Sequence, residues 1–167
     1  TYRLGDAVHN IEAIEGDVET DQGNVTRTIY MTHLGPVVAG ESTPWNDEYV
    51  YVMRDVNYEN YRAGDQYKDM SKARDVAELR DALGTYQAAA FVNTIAADSA
   101  GGALYADMSA IPNVSAELLE RCAVDTENAG RVITLNGSDP SCDWQVDATA
   151  AYPGLMPPSA QPSLITD

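Results

Sequence analysis

The sequence predicts an α+β fold made mostly of antiparallel strands, and three stretches predict it. Val25 to Thr32 is a β-branched, alternating run of the kind that fits a pleated strand. Phe91 to Asp98 and Ala103 to Asp107 are apolar runs of strand length on either side of Ser99-Ala100-Gly101-Gly102, which reads as a β-hairpin with a glycine-bearing connection. Ser71 to Gly84 places Val76, Leu79 and Leu83 at i, i+3 and i+7, one face of a helix.

Taken in chain order, Val8, Ile11, Ile14 and Val18 are interleaved with acids in a spacing that fits a helix about as well as a strand. Asp21-Gln22-Gly23-Asn24 is a turn sequence, and the strand-like run after it favours a hairpin around that turn. His33 follows in a second turn, where a lone histidine is more often structural than a general base, since a base must reach its nucleophile. Glu48 to Arg54 alternates large residues over a strand length and should be buried on at least one face. Asp55 to Asn60 alternates acids and amides but lacks the glycine and terminal glutamate of a calcium loop, so it reads as solvated. Tyr58, Tyr61 and Tyr67 are candidates for lining a cleft, against the plainer reading of core or domain contacts.

The clearest helix runs from Ser71, a capping residue, to Gly84 at the C′ position, with Arg74 and Glu78 paired at i and i+4 on its outer side. A second, short helix starts after Ser115 as N-cap, with Val114 and Leu119 spaced as a hydrophobic staple. Arg121 falls near its end, where the helix dipole favours a cation, and by its residues alone it reads as a helix-end charge. From Asp125 the chain turns loop-rich, and Pro153, Pro157, Pro158 and Pro162 make the tail extended or irregular. Three stretches result: a strand-rich part (1–70), a part with the main helix, the hairpin, the short helix and the cysteines (71–147), and a proline-rich tail (148–167).

Composition narrows the partners. The 167 residues carry 10 Lys+Arg against 26 Asp+Glu, a formal net charge of −16. Such a surface repels phosphate backbones and anionic membranes, so neither nucleic acid nor a membrane is an expected partner. No apolar run has the length of a transmembrane helix, and the segment shows no charged-then-apolar leader. Cys122 and Cys142, the only cysteines, lie outside any CxxC arrangement and far from both histidines, so no metal or cofactor is expected. In an exported protein the two would form a disulfide closing a loop of about 20 residues, worth roughly 3 kcal/mol. In a cytosolic one they read as two buried thiols.

Asn93 is the odd residue of the predicted hairpin. Asn is depleted in strands, and an amide beside Phe91, Val92 and Ile95 must find partners if it is buried. It reads either as a satisfied core amide or as a group put to use.

The run Val92-Asn93-Thr94-Ile95-Ala96-Ala97-Asp98, a Gly-containing turn, Ala103-Leu104-Tyr105-Ala106-Asp107 and Ile111-Pro112-Asn113-Val114 resembles the β-subunit of penicillin-acylase-type N-terminal nucleophile hydrolases. Within them it is most similar to acylases that remove long acyl chains from homoserine lactones or aculeacin-like lipopeptides. His33-Leu34-Gly35-Pro36-Val37 is similar to the family's His-Gly-Pro-Val with one residue inserted, and Cys142-Asp143-Trp144 to its Cys-Asp-Trp. The likeness is readable from about Val25 onward. It implies a segment of the four-layer αββα fold and a parent amidohydrolase that cleaves an acyl amide through an acyl-enzyme. It also implies Asn93 as an oxyanion-hole donor, Arg121 beside the catalytic centre, and the rest of the acylase with a small acyl-amide substrate as partners. Export to the periplasm or medium is implied as well, and that tips Cys122 and Cys142 toward a disulfide.

The family nucleophile is the Ser that begins the processed β-subunit, its α-amino group acting as base. Thr1-Tyr2-Arg3 does not resemble that start, so the chain is expected to be an internal segment, inactive by itself. Two rivals stand beside this reading: a non-catalytic acidic β-rich binding domain of an exported protein, and a relative that keeps the fold without its nucleophile.

Overall fold

A computed structural model describes residues 1–124 and 132–166 and divides the chain into two compact units. The first contains Thr1–Asp55 and Glu117–Asp143, the second Val56–Ala116 and Trp144–Asp167. The beginning of the predicted loop-rich region, residues 125–131, lies outside the described residues.

In the first unit β1 (Tyr2–Leu4) and β2 (Ala7–His9) form a small antiparallel pair. β3 (Glu12–Thr20) and β4 (Gly23–Thr32) form a long ribbon in which Thr20 opposes Gly23, so Asp21 and Gln22 make the two-residue turn of the expected hairpin. Opposed pairs share a face: Ile14 with Ile29 and Val18 with Val25 lie on one side, Glu15 with Thr28 and Asp17 with Thr26 on the other. β5 (Gly35–Pro36) extends this sheet beyond β4. Gly35 is required there, because a Cβ would stand 2.3 Å from the Met53 carbonyl oxygen at a φ of +136°.

The strand expected over Glu48 to Arg54 is reduced to one bridge, Val37 to Val52, flanked by hydrogen bonds from Val38 N–H to Tyr51 O and from Met53 N–H to Pro36 O. Its neighbour explains this. β5 is two residues long and Pro36 has no N–H to donate, so a longer ladder has nothing to pair with. α3 (Ala116–Cys122) starts directly after Ser115, as expected, and Cys122 at its end is bonded to Cys142 in the 3-10 turn Pro140–Cys142. Their Cα atoms are 5.5 Å apart.

The second unit packs helices on a three-stranded antiparallel sheet. β6 (Thr94–Ala97) pairs with β7 (Ala103–Ala106), and β7 with β8 (Ser163–Thr166), which the proline-rich tail supplies. On one face Leu104 and Ala106, 2% and 0% exposed, form a core with Val76, Leu83 and Met108, edged by Leu79, Ala96 and Ile165. The apolar stripe read from the sequence therefore meets the sheet. The opposite face presents the in-register row Ile95, Tyr105 and Leu164, all exposed.

The main helix differs from its expected bounds at both ends. α1 (Ala63–Met70) precedes it, and Ser71 closes α1 rather than opening the next helix. α2 is Val76–Tyr86, capped by Asp75, whose side chain accepts from Glu78 N–H at 2.8 Å. Asp75 wins because it sits in extended conformation one residue before the helix, the geometry an N-cap needs, whereas Ser71 still has helical angles. Gly84 lies inside α2, where a Cβ would come within 3.1 Å of Met108 and 3.3 Å of Pro158; the left-handed C-terminal position belongs to Gln87, at φ 44°. The Arg74 guanidinium, followed by its backbone N–H, holds the Glu78 carboxyl down to about 2.

Candidate active site

Asn93 stands one residue before β6, not inside the strand. It is exposed, and its side chain forms no hydrogen bond among the described residues. Its apolar neighbours Phe91, Val92 and Ile95 are exposed too, Phe91 completely and Ile95 by 81%, so the core-amide alternative does not apply. A short apolar run signals a strand without saying which face is covered, and here the covered face belongs to Ala96 and its neighbours. Phe91 adopts a left-handed φ of 59°, uncommon for a bulky residue.

The backbone on both sides of this exposed group is firmly held. Downstream, Thr94 pairs with Ala106, and the Asp98 carboxylate organises the hairpin turn by accepting from Ala100 and Gly102 N–H, each at 2.9 Å, and from Val76 N–H at 3.3 Å. These N–H groups, Gly102 first and then Val76, hold the Asp98 carboxyl below its ordinary value. A Cβ at Gly102 would lie 2.8 Å from the same carboxylate, so any side chain there would have to displace it from the turn.

Upstream, side-chain amides take over. Gln66, wholly buried, accepts from Ala88 N–H at 2.7 Å and Ala89 N–H at 3.2 Å through Oε1. Gln87, also wholly buried, donates to Met156 O at 2.7 Å and accepts from Ala151 N–H at 2.9 Å. Asn57 donates to Ala88 O at 3.0 Å and Asn60 to Gln87 O at 3.2 Å.

Arg121 belongs to the first unit and lies in the last turn of α3. Its guanidinium donates to Ser141 O at 3.0 Å, beside the disulfide. Asp139 nearby is held below its ordinary value by the backbone N–H and then the hydroxyl of Ser141, with Arg121 adding a smaller attraction. His33 is tied to Tyr2, whose hydroxyl lies 2.9 Å from Nδ1 and whose ring stacks on the imidazole. Burial first, then His9 and Arg54, lower its pKa, against a smaller opposing pull from Asp143. Tyr58, Tyr61 and Tyr67 are exposed. Among the described residues no three His, Cys, Asp or Glu side chains are grouped to hold a metal.

A three-stranded antiparallel sheet with helices packed on one face is an α+β arrangement, and the comparisons identify the family it belongs to. The penicillin amidase family model matches residues 1–167, ahead of as well as beyond Val25, and the chain belongs to that family. The acyl-homoserine lactone acylase PvdQ of Pseudomonas fluorescens strain Pf-5 is 40% identical over 141 residues, covering 83% of this chain and 18% of that protein. PvdQ of Pseudomonas savastanoi pv. phaseolicola is 38% identical over 143 residues, 85% of this chain and 18% of that protein. Aculeacin-A acylase of Actinoplanes utahensis is 36% identical over 156 residues, 90% of this chain and 20% of the acylase. The chain thus spans about one fifth of the length of these relatives. Among solved structures, penicillin G acylase from Alcaligenes faecalis matches 99% of this chain and 26% of its own with a TM-score of 0.67 at 18% identity, which shows a shared fold.

Proposed function

We propose that the protein of which this chain is a part is an exported amidohydrolase that cleaves an acyl amide through an acyl-enzyme, and that Asn93 donates its side-chain N–H to the oxyanion. The observation that carries this reading is an exposed amide with no hydrogen bond among the described residues, on backbone held at both ends. An oxyanion donor must be oriented before the charge develops and must have an N–H to give. The names of the similar proteins supply the substrate classes: an acyl-homoserine lactone, an aculeacin-type lipopeptide or a penicillin. Arg121 stabilises the centre electrostatically in this reading. Because the chain spans about one fifth of its relatives' length, the nucleophile in this reading comes from another part of the protein, and no acylase activity is expected of the segment alone.

The test is Asn93→Ala in the full-length protein, after confirming that it is processed like wild type. Turnover is measured on whichever of the three substrate classes the wild type hydrolyses. An oxyanion role predicts a fall in kcat of about two to three orders of magnitude with KM nearly unchanged, since the bond strengthens mainly in the transition state. Melting temperature should change little, because the amide is already exposed. Near-normal kcat in processed Asn93→Ala enzyme, or no hydrolysis of any of the three classes by wild type, defeats the reading.

A further inference from the structure

The stretch that delivers Asn93 is fixed by buried side-chain amides that no catalytic scheme requires to touch substrate. We infer that Gln66, supported by Asn57, is a positioning residue for the acylase reaction, acting through the backbone of residues 88–93 to place the Asn93 amide. The inference rests on the reading of Asn93 as oxyanion donor.

The geometry is that of a short span anchored twice on one rigid stretch. Ala89 O accepts from Ala110 N–H at 2.9 Å, and Thr94 pairs with Ala106. Residues 106 to 110 include buried Ala106, Met108 and Ser109, and Gln161 holds the same stretch by donating to Ser109 O at 3.0 Å. Only four residues, Ala90 to Asn93, cross between the anchors, and one of them, Phe91, has left-handed backbone angles although its side chain is fully exposed. A non-glycine residue persists in that region only when its surroundings impose it. With the Phe91 side chain exposed, the imposing force is the backbone anchoring itself.

Gln66 is the centre of the upstream anchor. Both Ala88 and Ala89 N–H point at Oε1, which sets the orientation of the amide, and among the described residues its other hydrogen-bonding contact is the weak one from Nε2 to Met70 Sδ at 3.8 Å. Removing this oxygen strands two backbone donors in the interior, and the chain must shift to satisfy them. A shift on the order of 1 Å at a catalytic donor can cost about a hundredfold in rate.

The experiment is a mutant cycle in the full-length, processed enzyme. Gln66→Met, similar in length but without the acceptor, should lower kcat by about 10- to 100-fold with KM within about twofold. Gln66→Glu keeps an acceptor oxygen in either protonation state and should recover most of that loss. In an Asn93→Ala background Gln66→Met should change kcat by less than about twofold, because the donor it positions is gone. A merely structural role would lower stability in both backgrounds without this non-additivity. Should Gln66→Met fail to fold, Asn57→Ala removes one bond to Ala88 O at a half-buried site and runs the same cycle with a smaller expected loss.

If Asn93→Ala lowers kcat but Gln66→Met does not, or if the two losses simply multiply, the positioning role is overturned and the oxyanion assignment stands. If Asn93→Ala leaves kcat intact, the oxyanion assignment falls and this inference falls with it.

Discussion

The β3–β4 ribbon and the β6–β7 hairpin are both antiparallel pairs joined by short turns, yet they are held by different forces. Nine cross-strand pairs build the first, from Glu12 with Met31 to Thr20 with Gly23, and nearly all its side chains are exposed. Four pairs build the second, but alternate residues of β7 are buried against α2, and β8 closes its other side. The ribbon depends on backbone pairing and cross-strand neighbours, each worth about 0.2–1 kcal/mol. The hairpin depends on tertiary burial, where a single aliphatic side chain contributes several times as much. Asn93, the proposed oxyanion donor, adjoins the second kind of hairpin, which fits the demand that such a donor be held still.

That contrast can be broken most forcefully at Leu104. Leu104→Ala leaves a void beneath α2 and should destabilise the protein by about 2–5 kcal/mol in denaturant unfolding. A loss below about 1 kcal/mol would mean that β7 is not anchored by the core.

Acid should act next on the hairpin through Asp98. Its folded-state pKa lies below the ordinary value of 3.8, so the carboxylate contributes stability that is fully present above that value and is lost as pH falls through the folded pKa. Hydrogen exchange at Ala100 and Gly102 should accelerate, relative to intrinsic rates, as the pH is taken below the ordinary carboxyl value and through the folded one, and in Asp98→Asn the acceleration should disappear. Protection that is unchanged by acid in the wild type would deny the carboxylate its part in the turn.

The smallest effect is expected on the ribbon. Ile14 and Ile29 face each other but are both exposed, so replacing either with Ala should cost less than about 1 kcal/mol. A larger loss would show that the ribbon face is covered in the full-length protein.

Residue patterns alone are enough for the elements whose signals are local. The turn at Asp21 and Gln22, the Val76-Leu79-Leu83 stripe and the start of α3 after Ser115 follow from propensity, period and capping chemistry, which act over a few residues. The Cys122–Cys142 bond needed the family likeness in addition, because two cysteines twenty residues apart read equally well as thiols. Asn93 stood out because an Asn is costly in an apolar strand, but whether it is buried could not be read: a run such as Val92-Asn93-Thr94-Ile95 has the same composition whichever face is covered, and the structure leaves it exposed. Other features were decided only by tertiary structure. Ser71 yielded to Asp75 because α1 occupies the preceding turn, and Gly84 lies within the helix because Met108 and Pro158 crowd it. Gln66 and Gln87 carry no mark in the sequence, since a glutamine that satisfies buried backbone is spelled like one that faces water. What separates them is where Ala88, Ala151 and Met156, distant along the chain, direct their N–H and C=O groups once the core has closed.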